Sequence, residues 1–228
     1  MGLNMKKKIS MVMFSIVLVL VLAVFAEASI VNGSFEDGLN NWTSSTGSAH
    51  FSTMASYTLY DGSILNPDDG SSFAVVTGDN FLPPPTMSQT ISFKAGDVLS
   101  GVAALEINAL GNPPVPGVPN RHDYLKITID SLEVLKIENI DSWVEDPVGA
   151  WRGYQSWTPW QWTVPADGDY ILYLFESTEK PSNDSTNGWY VHAFFDDIRV
   201  SSVPIPGALW LLGSGLIGIV GIRRKFKN

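Results

Sequence analysis

The chain has 228 residues, no cysteine and a formal net charge of −9. Residues 29–202 alone contain seven Lys and Arg residues against twenty-two Asp and Glu residues, a net charge of −15, because the two terminal segments hold the other seven basic residues. Such an acidic body excludes nucleic acid as a partner. The absence of cysteine excludes disulfides and zinc–thiolate sites.

The first segment of the chain has the three parts of a secretory signal peptide. Lys6, Lys7 and Lys8 precede an apolar run from about Met11 to Ala26, and Ala26-Glu27-Ala28 has the small residues that signal peptidase requires. Residues 1–28 are therefore predicted to direct export through the Sec pathway and to be cleaved after Ala28. The alternative is an uncleaved anchor helix, for which the apolar run is short.

Residues 29–202 are predicted to form a single domain of strands. Short apolar and aromatic runs such as FAVVTG (73–78) and QTISF (89–93) are separated by Gly, Pro, Asn and Asp, and no helical period appears between them. The segment DYLKITID (123–130) alternates Leu125, Ile127 and Ile129 with polar residues, which is typical of a strand with one buried face.

The strand pattern also predicts pairings and a fold class. EVLKIENI should form a hairpin with the strand that precedes it, and QWTV and DYILYLFES should form another through the turn PADG. WYVHAFFDDIRV (189–200) is the last predicted strand, and the stretches 111–120 and 177–188 are predicted loops. The expected fold is all-β: an antiparallel jelly-roll sandwich of about eight strands without internal repeats.

The chain ends in a segment with the features of a membrane anchor. Sixteen uncharged residues (207–222) lie between a Pro-x-Pro step and four basic residues, of which Arg223 and Arg224 are the first. The positive-inside rule keeps these basic residues in the cytoplasm, so residues 207–222 are predicted to cross the inner membrane once, with the domain in the periplasm. The alternative is a last core helix of the domain.

This C-terminal segment resembles a known sorting signal. VPIPGALWLLGSGLIGIVGIRRK is similar to the PEP-CTERM family of signals, in its VPxxP-like variants, which exosortases of Gram-negative bacteria process. The matching positions are Val203, Pro204 and Pro206, followed by Arg223 and Arg224; the acidic residue of the Pro-Glu-Pro core is absent here. The resemblance implies that an exosortase processes residues 203–228 and that the protein reaches the cell surface or the extracellular matrix.

A second resemblance covers the predicted domain. NGSFEDGLNNW (32–42) and FFDDIRV (194–200) resemble the paired first and last strands of galactose-binding-like jelly rolls, a fold shared by several carbohydrate-binding modules. The resemblance implies a structural calcium between these strands, with ligands from Glu36, the carbonyl of Ser34, Asp196 and the loop residue Asp69. Oxygen ligands suit calcium, and a cation would offset the repulsion among the carboxylates. Alternatively, these carboxylates are solvated turn residues.

Five of the eight tryptophans lie between residues 143 and 162. Trp160 and Trp162 share one face of a strand and are predicted to be core residues. Trp151 and Trp157 are interpreted as members of a Gly-rich loop, where exposed indoles would stack on sugar rings. The alternative is that these two tryptophans also pack in the core or anchor the loop.

No catalytic motif accompanies these features. The three histidines are widely separated, and neither H-E-x-x-H nor G-x-S-x-G nor a Gly-rich phosphate loop is present. The protein is therefore predicted not to be an enzyme. The leading hypothesis is a non-catalytic exported envelope protein, a structural or adhesive component of the exopolysaccharide matrix or biofilm, in contact with surface polysaccharide. The alternatives are a glycan-binding module and a small polysaccharide-active enzyme.

Overall fold

The computed structural model describes residues 28–45, 50–78, 84–109, 122–138, 144–145, 151–179 and 189–202. The predicted signal peptide up to residue 27 and the predicted sorting signal 203–228 lie outside these ranges. Within them, no helix has the length and apolar character that crossing a bilayer requires. The strands are β1 (Thr43–Ser44), β2 (Phe51–Met54), β3 (Tyr57–Thr58), β4 (Ile64–Leu65), β5 (Phe73–Gly78), β6 (Thr86–Phe93), β7 (Val98–Ala109), β8 (His122–Ile129), β9 (Leu132–Glu138), β10 (Val144–Glu145), β11 (Trp151–Thr163), β12 (Gly168–Glu179) and β13 (Trp189–Ser201).

The strands form two facing antiparallel sheets. The five-stranded sheet has the order β1-β6-β12-β8-β9, and the six-stranded sheet has the order β10-β11-β7-β13-β5-β2. Strands β3 and β4 form a separate short hairpin. The predicted antiparallel jelly-roll sandwich is thus confirmed for the described residues.

The main core lies between the two sheets and follows from the alternation along each strand. On β8, Leu125, Ile127 and Ile129 are buried, as their spacing predicts, and β9 pairs with β8 in the expected hairpin. Leu172 and Leu174 of β12 bury the same face of the five-stranded sheet. Strands with a period of two therefore place their apolar side chains on one side.

Part of the six-stranded sheet is buried on its outer face as well. Ala74 and Val76 of β5 belong to the main core, whereas Phe73 and Val75 face outward and contact a second apolar cluster. The β3–β4 hairpin covers this cluster. The other fully or largely buried members are Leu59, Leu65, Ala104 and Phe194. A strand covered on both faces has a continuous apolar run, which explains FAVV in β5.

The predicted hairpin of QWTV with DYILYLFES is wrong. Strand β11 pairs with β7, and β12 pairs with β6 and β8, so the turn PADG carries the chain from one sheet to the other. Backbone hydrogen bonds from Gly96 to Val164 and from Val164 to Asp97 fix the end of β11 beside β7. Two consecutive strands joined by a short turn can belong to different sheets when the inner faces of those two sheets pack against each other.

The opening segment is also not the strand that the resemblance implies. Residues 31–41 form turns, and Asn32, Phe35 and Asn41 have φ values between 56° and 71°, which an extended strand does not allow. The segment contacts β13 through a hydrogen bond from the Ile198 N–H to the Gly33 carbonyl. A Cβ at Gly33 would lie 1.9 Å from the Ile198 carbonyl oxygen, so this approach requires glycine.

Candidate functional site

The loop between β4 and β5, residues 66–72, is held by carboxylates from both ends of the domain. Glu36 Oε1 accepts hydrogen bonds from the backbone N–H groups of Ser71 (2.7 Å) and Ser72 (2.8 Å), and Glu36 Oε2 accepts one from the Ser71 hydroxyl. These bonds, the Ser71 hydroxyl first, lower the pKa of Glu36. Gly70 has a φ of 69°, and a Cβ there would lie 2.4 Å from Glu36 Oε1.

Asp196 holds the other end of this loop from beneath. Its carboxylate is buried, and Oδ2 accepts the backbone N–H groups of Asp68 (2.7 Å) and Asp69 (3.1 Å), while Oδ1 accepts that of Asp197 (2.8 Å). Burial raises the pKa of Asp196 to about 6, and the three N–H donors oppose that rise. The β4–β5 loop is therefore fixed by two carboxylates that are 160 positions apart in the chain.

The structure brings together three of the four residues predicted to bind calcium, but as a hydrogen-bond network. Glu36 and Asp196 each accept three hydrogen bonds, and Asp69 contributes a backbone N–H to Asp196. Backbone N–H groups and the Ser71 hydroxyl thus take up much of the accepting capacity of the two carboxylates. Ser34 lies in the opening turn. Among the described residues, no group of three or more His, Cys, Asp or Glu residues is placed to hold a metal. Calcium stays a prediction.

An open groove of about 480 Å³ lies beside this loop, on the outer face of the six-stranded sheet. Two irregularities in strand pairing flank it: one in β11 between Gln155 and Thr158, the other in β13 between Asp196 and Arg199. Such bulges turn side chains away from the regular alternation and are frequent beside binding sites. The lining residues are Asp68, Ser100, Gly101, Val102, Trp157, Pro159, Trp160, Gln161, Asp197 and Arg199.

Trp157 is the aromatic side chain of this groove with part of its surface exposed. Its Nε1 donates a hydrogen bond to the Asn66 carbonyl (2.9 Å), and its ring meets Phe73 edge to face, with centroids 5.7 Å apart. The indole is thus half-buried and fixed at both its polar and its apolar side. A fixed aromatic surface loses little conformational entropy when a ligand stacks on it.

The structure contradicts part of the tryptophan predictions and confirms the rest. Trp151 and Trp157 do not lie in a loop, because both belong to β11; the side chain of Trp151 is outside the described part of the chain. Trp160 is buried in the main core, and Trp162 packs against Phe93 and Tyr170, so the core prediction for these two is confirmed.

Sequence reasoning missed Arg199 and did not assign Asp68 and Asp197 to a binding site. Arg199 Nη1 lies 2.9 Å from Asp197 Oδ1 and 2.8 Å from Oδ2, and Asp197 is mostly buried while Arg199 is exposed. Burial is the largest cause that raises the pKa of Asp197, and the nearby Asp69 and Asp68 add to it. The break of alternation at Asp196-Asp197 in an otherwise regular strand was the available signal.

A second polar cluster lies on the same face, under the β3–β4 hairpin. The buried Glu106 accepts hydrogen bonds from the Tyr57 hydroxyl (2.7 Å) and from the backbone N–H of Tyr60 (2.8 Å). Burial lowers the pKa of the neighbouring His192 to about 4, and its Nδ1 lies 3.2 Å from the Thr77 hydroxyl. These contacts tie the β3–β4 hairpin to the six-stranded sheet through Glu106.

No protein-family model and no curated protein sequence matches the chain. Solved structures resemble it at low identity. A Stig cyclase from Fischerella sp. TAU, in complex with an indole compound, has a TM-score of 0.42 and 10% identity over 78% of this chain and 98% of that chain. The second carbohydrate-binding module of family 51 in Clostridium perfringens ZmpB, in complex with GlcNAc, has a TM-score of 0.36 and 10% identity over 70% of this chain and 29% of that one. The family 22 tandem domain of Paenibacillus barcinonensis Xyn10C has a TM-score of 0.36 and 16% identity over 81% and 50%.

The cyclase matches correct one prediction. The prediction that this protein is not an enzyme rested on missing motifs. It is not upheld, since the Fischerella cyclases among the similar structures are enzymes. The carbohydrate-binding modules among the similar structures are binding domains by name. At these TM-scores neither set of matches decides what this chain does.

Proposed function

We propose that this domain binds glycans in the groove beside the β4–β5 loop. The observation that carries the proposal is Trp157, an indole held by Asn66 and Phe73 with part of its face on an open groove. A half-exposed indole is costly to leave in water, and sugar rings present apolar C–H faces that cover it.

Polar groups around Trp157 suit the hydroxyls of a sugar. Asp68 and Asp197 supply acceptors, Arg199 supplies donors, and Gln161 and Ser100 supply both. These side chains stand on strands or on a loop fixed by hydrogen bonds, so their positions are set before a ligand arrives. Few, well-placed polar groups around an aromatic surface are the usual composition of small-ligand sites, and the groove volume of about 480 Å³ suits such a ligand.

A glycan array with purified residues 29–202, which include every described strand, tests the proposal. Binding to a defined set of glycans is expected, and Trp157→Ala should abolish it. Trp42→Ala is the matched control, because Trp42 is also a half-buried indole that donates its Nε1–H to a backbone carbonyl (Asn32) and contacts one phenylalanine (Phe35), but it does not line the groove. Equal binding by both variants would contradict the proposal.

We further propose that the protein acts outside the cytoplasm, as a component of the exopolysaccharide matrix. The support is in the sequence: the signal peptide features of residues 1–28, and the PEP-CTERM-like residues 203–228 with their Arg223-Arg224 pair. In a host with the matching exosortase, the mature C-terminus should lie near Val203 to Pro206. Mass spectrometry of surface material decides this: an intact peptide containing Arg223 outside the cell would overturn exosortase processing.

A further inference from the structure

The charges of the groove are unbalanced in favour of acceptors. Among its described lining residues, Asp68 and Asp197 are the two carboxylates and Arg199 is the one cation. Arg199 contacts both oxygens of Asp197 through Nη1, so this pair balances one carboxylate and Asp68 leaves the groove with a net negative charge. Ionised carboxylates accept hydrogen bonds and donate none. The groove therefore presents more acceptors than donors to a ligand.

The carboxylates cannot readily move away from this position. Asp196 binds the backbone N–H groups of Asp68 and Asp69, and Glu36 binds those of Ser71 and Ser72, which fixes the loop that carries Asp68. Asp197 stands at a bulge with a φ of 50° and is held by its pair with Arg199. Burial is the largest cause that raises the pKa of Asp197; Arg199 lowers it, and the nearby Asp69 and Asp68 raise it further.

From this arrangement we infer that the groove selects glycans that bring hydrogen-bond donors and positive charge, amino sugars with free amines above all, and rejects glycans that carry carboxylate or sulfate groups. The inference rests on the proposed glycan binding. A ligand carboxylate would add a like charge to a groove lined by Asp68 and Asp197, whereas an ammonium group would bring donors to these acceptors. The net charge of −15 on residues 29–202 acts in the same direction at longer range.

Four hexasaccharides with one β-1,4-linked glucose backbone isolate this effect: the unmodified glucose oligomer, the 2-acetamido form, the 2-amino form and the form oxidised to uronic acid at C6. Calorimetry with residues 29–202 at about pH 6, where amines are protonated, should give the tightest binding for the amino form. The uronic acid form should bind at least about tenfold more weakly than the amino form. Added salt should reduce this difference, since charge screening weakens exposed pairs.

Asp68→Asn identifies the groove as the source of the preference. Its backbone N–H and side-chain shape stay, so the loop contact with Asp196 is retained, and affinity for the amino form should fall about fivefold more than affinity for the unmodified oligomer. Asp167→Asn is the control, because it removes the same charge far from the groove, in the turn where Asp167 binds Lys94 and Ala95.

The outcomes separate the two proposals. If neither the glycan array nor the four oligomers show binding, or if Trp157→Ala binds as the unmutated domain does, the proposed function fails and the inference fails with it. If the oligomers bind through Trp157 but the uronic acid form binds as tightly as the amino form, only the inference is overturned. Equal losses in Asp68→Asn and Asp167→Asn would also overturn it, because they would show unspecific attraction to an acidic body.

Discussion

The outer face of the six-stranded sheet has two halves. Both hold a segment of chain through a buried carboxylate, but one half is closed by apolar side chains and the other has an open groove. In each half a buried carboxylate accepts backbone N–H groups from the segment above it: Glu106 from Tyr60, and Asp196 from Asp68 and Asp69. The segment above Glu106 carries apolar side chains and closes into a small core. The segment above Asp196 carries Asp68, and a groove stays open beside it.

The hydrogen bonds from backbone N–H groups to a buried carboxylate therefore do not determine whether the region becomes a closed core or an open groove. A carboxylate that captures N–H groups holds a loop against a sheet wherever it stands, because unpaired buried N–H groups are costly. Whether water is excluded depends on the side chains that the loop brings. Leu59 and Leu65 fill the space above Phe194, whereas Asp68 and the half-exposed Trp157 leave it accessible.

Phe194→Ala should break the closed half and give the largest effect. Phe194 is fully buried and contacts Phe73 and Tyr57, with ring centroids 5.8 Å and 5.0 Å away. Its truncation should lower the free energy of unfolding by about 3 to 5 kcal/mol, as measured by urea denaturation. Trp157 packs on the same cluster through Phe73, so glycan affinity of the folded protein should fall as well. A loss below about 1 kcal/mol would mean that the hairpin is not packed as described.

The closed half should also respond to pH through His192. Its pKa is lowered by burial to about 4, below the value of 6.5 in an unfolded chain. The folded state therefore resists protonation, and the contribution of His192 to stability is complete above pH 6.5 and is lost as the pH falls towards 4. Relative to His192→Phe, which keeps the ring contacts, the unmutated domain should lose up to about 3 kcal/mol over this window. Parallel stability curves would contradict a buried neutral imidazole.

Asp196→Asn should weaken the open half. The amide nitrogen would face N–H donors of Asp68 and Asp69 that now bind Oδ2, so a loss of about 1 to 3 kcal/mol is expected from melting and denaturation curves. The same curves, recorded in chelator and in calcium, test the metal prediction. Bound calcium would raise the melting temperature of the unmutated domain and not that of the variant. Identical curves in both solutions would leave the N–H groups as the partners of Asp196.

Sequence reasoning reached the strands and their buried faces because both are local properties. Leu125, Ile127 and Ile129 fix the inner face of β8 by spacing alone. Pairing partners are not local, which is why β11 and β12 were joined in a hairpin although they belong to different sheets. The site is the least local feature: Glu36 and Asp196 meet at one loop, and the groove lies between two bulges, of which only the one at Asp196-Asp197 leaves a break in the alternation along the sequence.

The smallest predicted effect is the difference in stability between Gly38→Ala and Gly70→Ala. Gly38 and Gly70 have nearly equal φ values, 62° and 69°, so alanine at either position should cost about 1 kcal/mol of backbone strain. A Cβ at Gly38 would meet nothing within 4 Å, whereas a Cβ at Gly70 would lie 2.4 Å from Glu36 Oε1. Gly70→Ala must therefore displace the carboxylate that holds Ser71 and Ser72, and it should lose about 1 kcal/mol more than Gly38→Ala. Because the β4–β5 loop also carries Asp68, glycan affinity should fall in Gly70→Ala and stay unchanged in Gly38→Ala. Equal stability and equal affinity of the two variants would show that Glu36 does not position the groove.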